Sequence, residues 1–122
     1  MQAKCSMSIQ EIKMEYVKVL DKAELPINTM KIVMVDGKEI LLSNVDGAYC
    51  AIANKCTHAG ASLAGGVLKG GIVTCPKHGA QFDVKTGKAV GEAKIGFMKM
   101  KVKDEESYVV KVEGEDILVG KP

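Results

Sequence analysis

Short apolar runs separated by glycine-containing turns recur along almost the whole chain. Met30 to Val35 (MKIVMV) is followed by Asp36-Gly37 and Glu39 to Leu42 (EILL), and Asp46-Gly47 then precedes Ala48 to Ala53 (AYCAIA). An Asp-Gly pair between two such runs predicts a hairpin, because Gly tolerates the positive φ that the tight turn needs. Gly70-Gly71 precedes Ile72 to Thr74, and Thr86-Gly87 lies between Phe82 to Val84 and Lys88 to Val90. Tyr108 to Val112, the turn Glu113 to Asp116, and Ile117 to Val119 form a last hairpin. Tyr16 to Val19 reads as the first strand. Asp21 to Leu25 reads as one helical turn, with Asp21 as N-cap and Pro26 ending it. Strands this short and evenly spaced predict an all-β sandwich or small barrel. Residues 1–15 show no clear pattern and are expected to form a loose extension or a short helix, leaving 16–122 as one domain.

Composition narrows the class. The apolar fraction of 47% supports a core, and with no Trp and only two Phe that core is aliphatic. Thirteen Gly in 122 residues imply many tight turns, or loops wrapped closely around something. A net charge of +2, with lysines interleaved among acids, argues against nucleic acid as a partner. No run of about 20 apolar residues exists to span a membrane, and the N-terminal segment lacks a secretory pattern. The expected compartment is therefore the reducing cytoplasm, where four Cys are ligands or buried thiols sooner than disulfides.

The chemistry lies in Cys56-Thr57-His58 and, after sixteen intervening residues, Cys75-Pro76-Lys77-His78. Each half is a glycine-rich loop carrying one thiol and one imidazole, so together they offer a Cys₂His₂ ligand set. Zinc accepts that set too. Zinc fingers, however, usually pair like ligands in C-x₂₋₄-C and H-x₃₋₅-H, whereas here each pair is mixed, and no helix follows. A di-iron cluster held by two parallel loops, both cysteines on one iron and both histidines on the other, matches the mixed pairing.

CTHAGASLAGG and CPKHGAQFDVKTGK resemble the two cluster-binding boxes of the Rieske family, in the C-x-H and C-x-x-H arrangement. The resemblance extends over about 16–119 and is nearest to the small Rieske ferredoxins that serve oxygenases. It implies a Rieske (ISP-domain-like) antiparallel β-sandwich with a cluster-binding subdomain of two loops, at about 55–84. It also implies one [2Fe–2S] cluster per chain on Cys56, His58, Cys75 and His78. Two ferric ions and two sulfides sum to plus two, which two thiolates cancel. The oxidised centre is then neutral and the reduced one singly negative, so mixed ligation raises the potential to about −150 to +300 mV.

High-potential members of the family carry a disulfide beside the boxes, and serine and tyrosine hydroxyls aimed at the cluster sulfurs. The corresponding positions here are Ala61, Lys77, Ala80 and Phe82, which supply none of these. A potential below zero is expected, nearly flat around pH 7. The stretch Gly91 to Phe97 stands where oxygenase ferredoxins have a proline-containing third loop, and it has no proline. A differently shaped loop is expected there, leaving the cluster more open or covered by Phe97.

The implied function is a one-electron carrier, a monomer taking electrons from a reductase and passing them to a terminal oxygenase or other oxidoreductase. No nucleotide-binding motif and no room for a mononuclear-iron domain point to an enzyme. Two alternatives stay open: a Rieske subunit fixed in a larger oxidoreductase, and a structural zinc module mediating protein contacts. Cys5 and Cys50 have no partner at ligand spacing, and Cys50 reads as a small buried hydrophobe. Met30, Met34, Met98 and Met100 are expected to pack, and Lys99, Lys101 and Lys103 to form a solvated face. Pro76 rigidifies its loop. Lys77, inside the second box, is placed to bias partner choice or favour reduction.

Overall fold

The computed structural model describes residues 15–57, 60–77, 79–91, 93–95, 98–100 and 102–121, with the backbone alone given from 93 to 100. The described residues form β-strands and two 3-10 turns, with no α-helix. The central sheet joins β2 (Thr29–Val35), β3 (Lys38–Val45), β4 (Ala48–Ala53) and β11 (Ser107–Tyr108), in the order β11-β4-β3-β2. Its two hairpins turn at the Asp-Gly pairs. Asp36 and Asp46 both have φ of 51°, and Gly37 and Gly47 have φ of 77° and 94°. Two successive positive φ values make the primed turn whose twist matches the flanking strands.

A second sheet pairs β1 (Tyr16–Asp21), β13 (Asp116–Gly120) and β12 (Val110–Glu113). It packs on one face of the central sheet through Val33, Val35, Ile40, Leu42, Ala51, Ile117 and Val119. The opposite face carries Leu41, Val45 and Ile52 against a third layer. That layer is β5 (Val67–Lys69), β6 (Ile72–Thr74), β7 (Gln81–Asp83) and β8 (Ala89–Gly91), paired in chain order. β3 is thus covered on both faces, which explains why its Ile40-Leu41-Leu42 run does not alternate.

β3 extends to Val45, three residues beyond the predicted run, because Ser43 and Asn44 are buried within it. The Asn44 amide donates to the Leu25 carbonyl (2.9 Å) and accepts from the Gly47 N–H (2.8 Å). The predicted helical turn is a 3-10 turn at Lys22–Glu24, where the Asp21 N–H donates to the Glu24 carboxylate (3.1 Å). The stretch expected to be a third loop instead holds β9 (Ala93–Ile95), paired antiparallel with β10 (Met98–Met100). Met30 packs on the core as expected, but Met34 is 56% exposed on the edge strand. Cys5, Lys101 and Phe97 lie outside the described residues.

Candidate metal centre

The two boxes fold into turns of the same build. In the first, the Cys56 N–H donates to the Ala61 carbonyl (2.8 Å) and the Gly60 N–H to the Cys56 carbonyl (2.8 Å). In the second, the Cys75 N–H donates to Ala80 (2.7 Å) and the Gly79 N–H to Cys75 (3.3 Å). Gly60 and Gly79 occupy the same turn position, at φ of 69° and 75°, where a side chain would be strained. Each turn begins on a cysteine only 2% exposed, and both cysteines belong to one buried cluster with Leu63, Ala80 and Phe82. Thr57, Gly60, Pro76, Lys77 and Gly79 are exposed, so the turns bury their thiols and present their tips to solvent.

His58 and His78 lie outside the described residues. The structure therefore brings together two of the four predicted ligands. The donors present fit a metal centre with thiolate ligation. Two thiols start equivalent turns inside a common apolar cluster, and one His follows each Cys within three residues.

Asn54 anchors the first turn. It is fully buried, and its Nδ2 donates to the Ser62 hydroxyl (2.9 Å) and the Glu39 carboxylate (3.1 Å). Its Oδ1 accepts the Ala64 N–H (3.1 Å), and its carbonyl accepts the Leu63 N–H (2.8 Å). The loop returning to β5 passes close to β6. A Cβ on Gly66 would overlap the Thr74 carbonyl oxygen. The second turn is set by the β6–β7 ladder, where Thr74 pairs with Gln81 and Gln81 Nε2 donates to the Thr74 hydroxyl (3.2 Å).

The segment after β10 closes over the first box. Glu105 is 5% exposed, and its carboxylate accepts the Thr57 N–H (2.8 Å). The Thr57 hydroxyl donates to the Lys103 carbonyl (2.6 Å). Burial pushes the Glu105 carboxyl up to about 7, against the opposing pull of the Thr57 N–H. Reading the sequence missed both Asn54 and Glu105. Asn54 stands next but one to Cys56, a position from which a buried amide could have been suspected. Glu105 sits in the charged run KVKDEE and carries no such signal.

Ala61 is half-buried, and Ala80 and Phe82 are buried in the cluster of residues that holds the thiols, so none of them brings a hydroxyl there. Cys50 is only partly buried and packs at the edge of the same core; burial raises its thiol pKa. Lys103 is exposed, in keeping with a solvated face, while Lys99 lies on β10.

Comparison with known proteins bears directly on this centre. Residues 15–96 match the family model described as the Rieske [2Fe-2S] domain. The chain is 35% identical over 96 residues to the ferredoxin component of the naphthalene 1,2-dioxygenase system of Pseudomonas aeruginosa, covering 79% of this chain and 86% of that one. The ferredoxin of carbazole 1,9a-dioxygenase from Nocardioides aromaticivorans IC177 superposes with a TM-score of 0.77 at 31% identity, covering 88% of this chain and 98% of that one. A complex of reduced oxygenase and oxidized ferredoxin in carbazole 1,9a-dioxygenase matches with a TM-score of 0.71 at 26% identity, over 85% of this chain and 91% of that one.

Proposed function

The chain belongs to the Rieske [2Fe-2S] family, and from that we propose that it is the ferredoxin of an oxygenase system, carrying single electrons from a reductase to a terminal oxygenase. The observation that carries this reading is the pair of equivalent turns, each opening on a buried cysteine and ending at an exposed tip. In this reading Cys56 and Cys75 supply two thiolates, His58 and His78 supply two imidazoles, and each chain holds one cluster within about 55–84. When bound, the cluster supplies a one-electron change between a neutral and a singly negative state.

The chain's own residues do the rest. Leu63, Ala80 and Phe82 keep water from the thiol side. Thr57, Pro76 and Lys77 form the surface that a partner meets, with the Lys77 ammonium exposed there. Ala61, Ala80 and Phe82 offer no hydroxyl to a sulfide, which favours a potential in the lower part of the family's range. No helix among the described residues is long and apolar enough to cross a membrane. We place the protein in the cytoplasm, as a monomer.

A stopped-flow experiment tests the role. The purified protein is expected to be reduced by an NADH-dependent flavin reductase and reoxidised by a ring-hydroxylating oxygenase, running as a monomer on gel filtration. Reduction without reoxidation by any such oxygenase, or purification only as part of a larger assembly, would overturn the free-carrier reading.

A further inference from the structure

The segment that closes over the first box lies beyond residue 96, where the match to the family model ends. It is pinned at four points. The Glu105 N–H donates to the Gly87 carbonyl (2.6 Å), and the Asp104 carboxylate accepts the Ala89 N–H (2.9 Å). The Glu106 carbonyl accepts the Ala53 N–H (2.8 Å), and the Lys103 carbonyl accepts the Thr57 hydroxyl (2.6 Å). Gly87, buried at φ of 81°, lies so close that a Cβ there would overlap the Glu105 carbonyl oxygen. These contacts fix one side chain in particular, the Glu105 carboxylate on the amide of Thr57, the residue between Cys56 and His58.

A carboxylate is an expensive way to close an apolar seam. Glu105 has no ion-pair partner among the described residues, and a buried charge without one costs stability that Leu would not. What a carboxylate offers here and Leu does not is an acceptor for the Thr57 N–H together with, once ionised, a negative charge held in place. We propose that Glu105 is a positioning residue that ties the chain's closing segment to the first cysteine turn and, through its charge, lowers the electron affinity of the centre. The proposal rests on the cluster reading above. Adding an electron makes the centre more negative, so a fixed charge of the same sign opposes reduction.

Glu105→Gln separates the charge from the hydrogen bond, since the amide oxygen still accepts from Thr57. Glu105→Leu removes both, and Glu106→Gln removes an exposed charge one residue away. Three readings are taken on the purified holoprotein at pH 8: the visible spectrum, the reduction potential, and deuterium uptake of the peptide spanning 54–63. E105Q is expected to keep the spectrum and the exchange rate, while shifting one-electron reduction toward the reduced form by roughly threefold to tenfold, where tenfold is about 59 mV. E105L is expected to speed exchange of the peptide by about tenfold, as loss of a buried hydrogen bond implies. E106Q is expected to change neither.

An E105Q potential equal to that of the unaltered protein overturns the proposal, and so does an equal shift in E106Q. Should E105L not accumulate, the two Gln variants decide the matter. Failure of the underlying reading looks different, because the unaltered protein would then lack the visible bands of the cluster.

Discussion

Replacing Asn54 by Ala should loosen the first cysteine turn more than the rest of the fold. The side chain is fully buried and makes three hydrogen bonds, to Ser62, Glu39 and the Ala64 N–H. Ser62 and Glu39 are exposed and regain water, so each lost bond costs about 0.5 kcal/mol. The Ala64 N–H loses its acceptor, and with the small cavity this adds about 2 kcal/mol. A total of about 3 kcal/mol lowers the unfolding midpoint by roughly 12 °C in a chain of 122 residues.

The control is Asn44→Ala. Asn44 is equally buried, but it bonds Leu25 and Gly47, at the end of the sheet away from the boxes. Both variants should melt early by circular dichroism at a fixed scan rate. Only N54A should also lose visible absorbance quickly at a temperature where both remain folded. An extra 2 kcal/mol of local opening multiplies the open population by about thirty. Equal bleaching rates in the two variants would refute the assignment of Asn54 as the anchor of that turn.

Four further outcomes are expected. Gly66→Ala should destabilise by about 2 kcal/mol or more, since its Cβ meets the Thr74 backbone, whereas Gly65→Ala, with only Pro76 Cγ at 3.8 Å, should be nearly neutral in urea unfolding. Glu105 should make stability fall as pH rises. Well below 4.5 it is protonated whether folded or not; between 4.5 and about 7 only the unfolded state ionises, so stability falls across that window and levels off above it, where the folded state must bury the charge. Allowing for partial solvent screening, the loss is on the order of 2 kcal/mol, and a pH series in urea in which Glu105→Gln declines just as steeply would contradict it. Ala80→Ser with Phe82→Tyr should raise the reduction potential, by about 1 kcal/mol or roughly 40 mV per hydroxyl that reaches the cluster sulfurs. The unaltered protein should titrate below zero; a value of about +100 mV or more would contradict the low-potential reading.

Much of the fold was legible because its turns have chemistry. The Asp-Gly pairs at 36–37 and 46–47 adopt the positive φ values that defined them as hairpins, and β4 has the predicted bounds. Ser43 and Asn44 hid the length of β3, because a polar residue buried in a strand looks like the start of a turn until its partners are known. β9 lies in the stretch expected to be a loop, since nothing in its short sequence reveals which strand it meets. At the site, spacing in the two boxes pointed to the cysteines. It could not point to Glu105, whose partner Thr57 lies 48 residues earlier. Long-range bonds from charged runs leave no local pattern.

The central claim is that Cys56, His58, Cys75 and His78 hold a [2Fe–2S] cluster with mixed ligands. Electron paramagnetic resonance of the purified, chemically reduced protein tests it most directly. The account predicts a signal from a reduced two-iron centre with the low average g value that imidazole ligation produces. A colourless protein with no such signal and bound zinc, or a signal with the higher average g of an all-cysteine cluster, would contradict it.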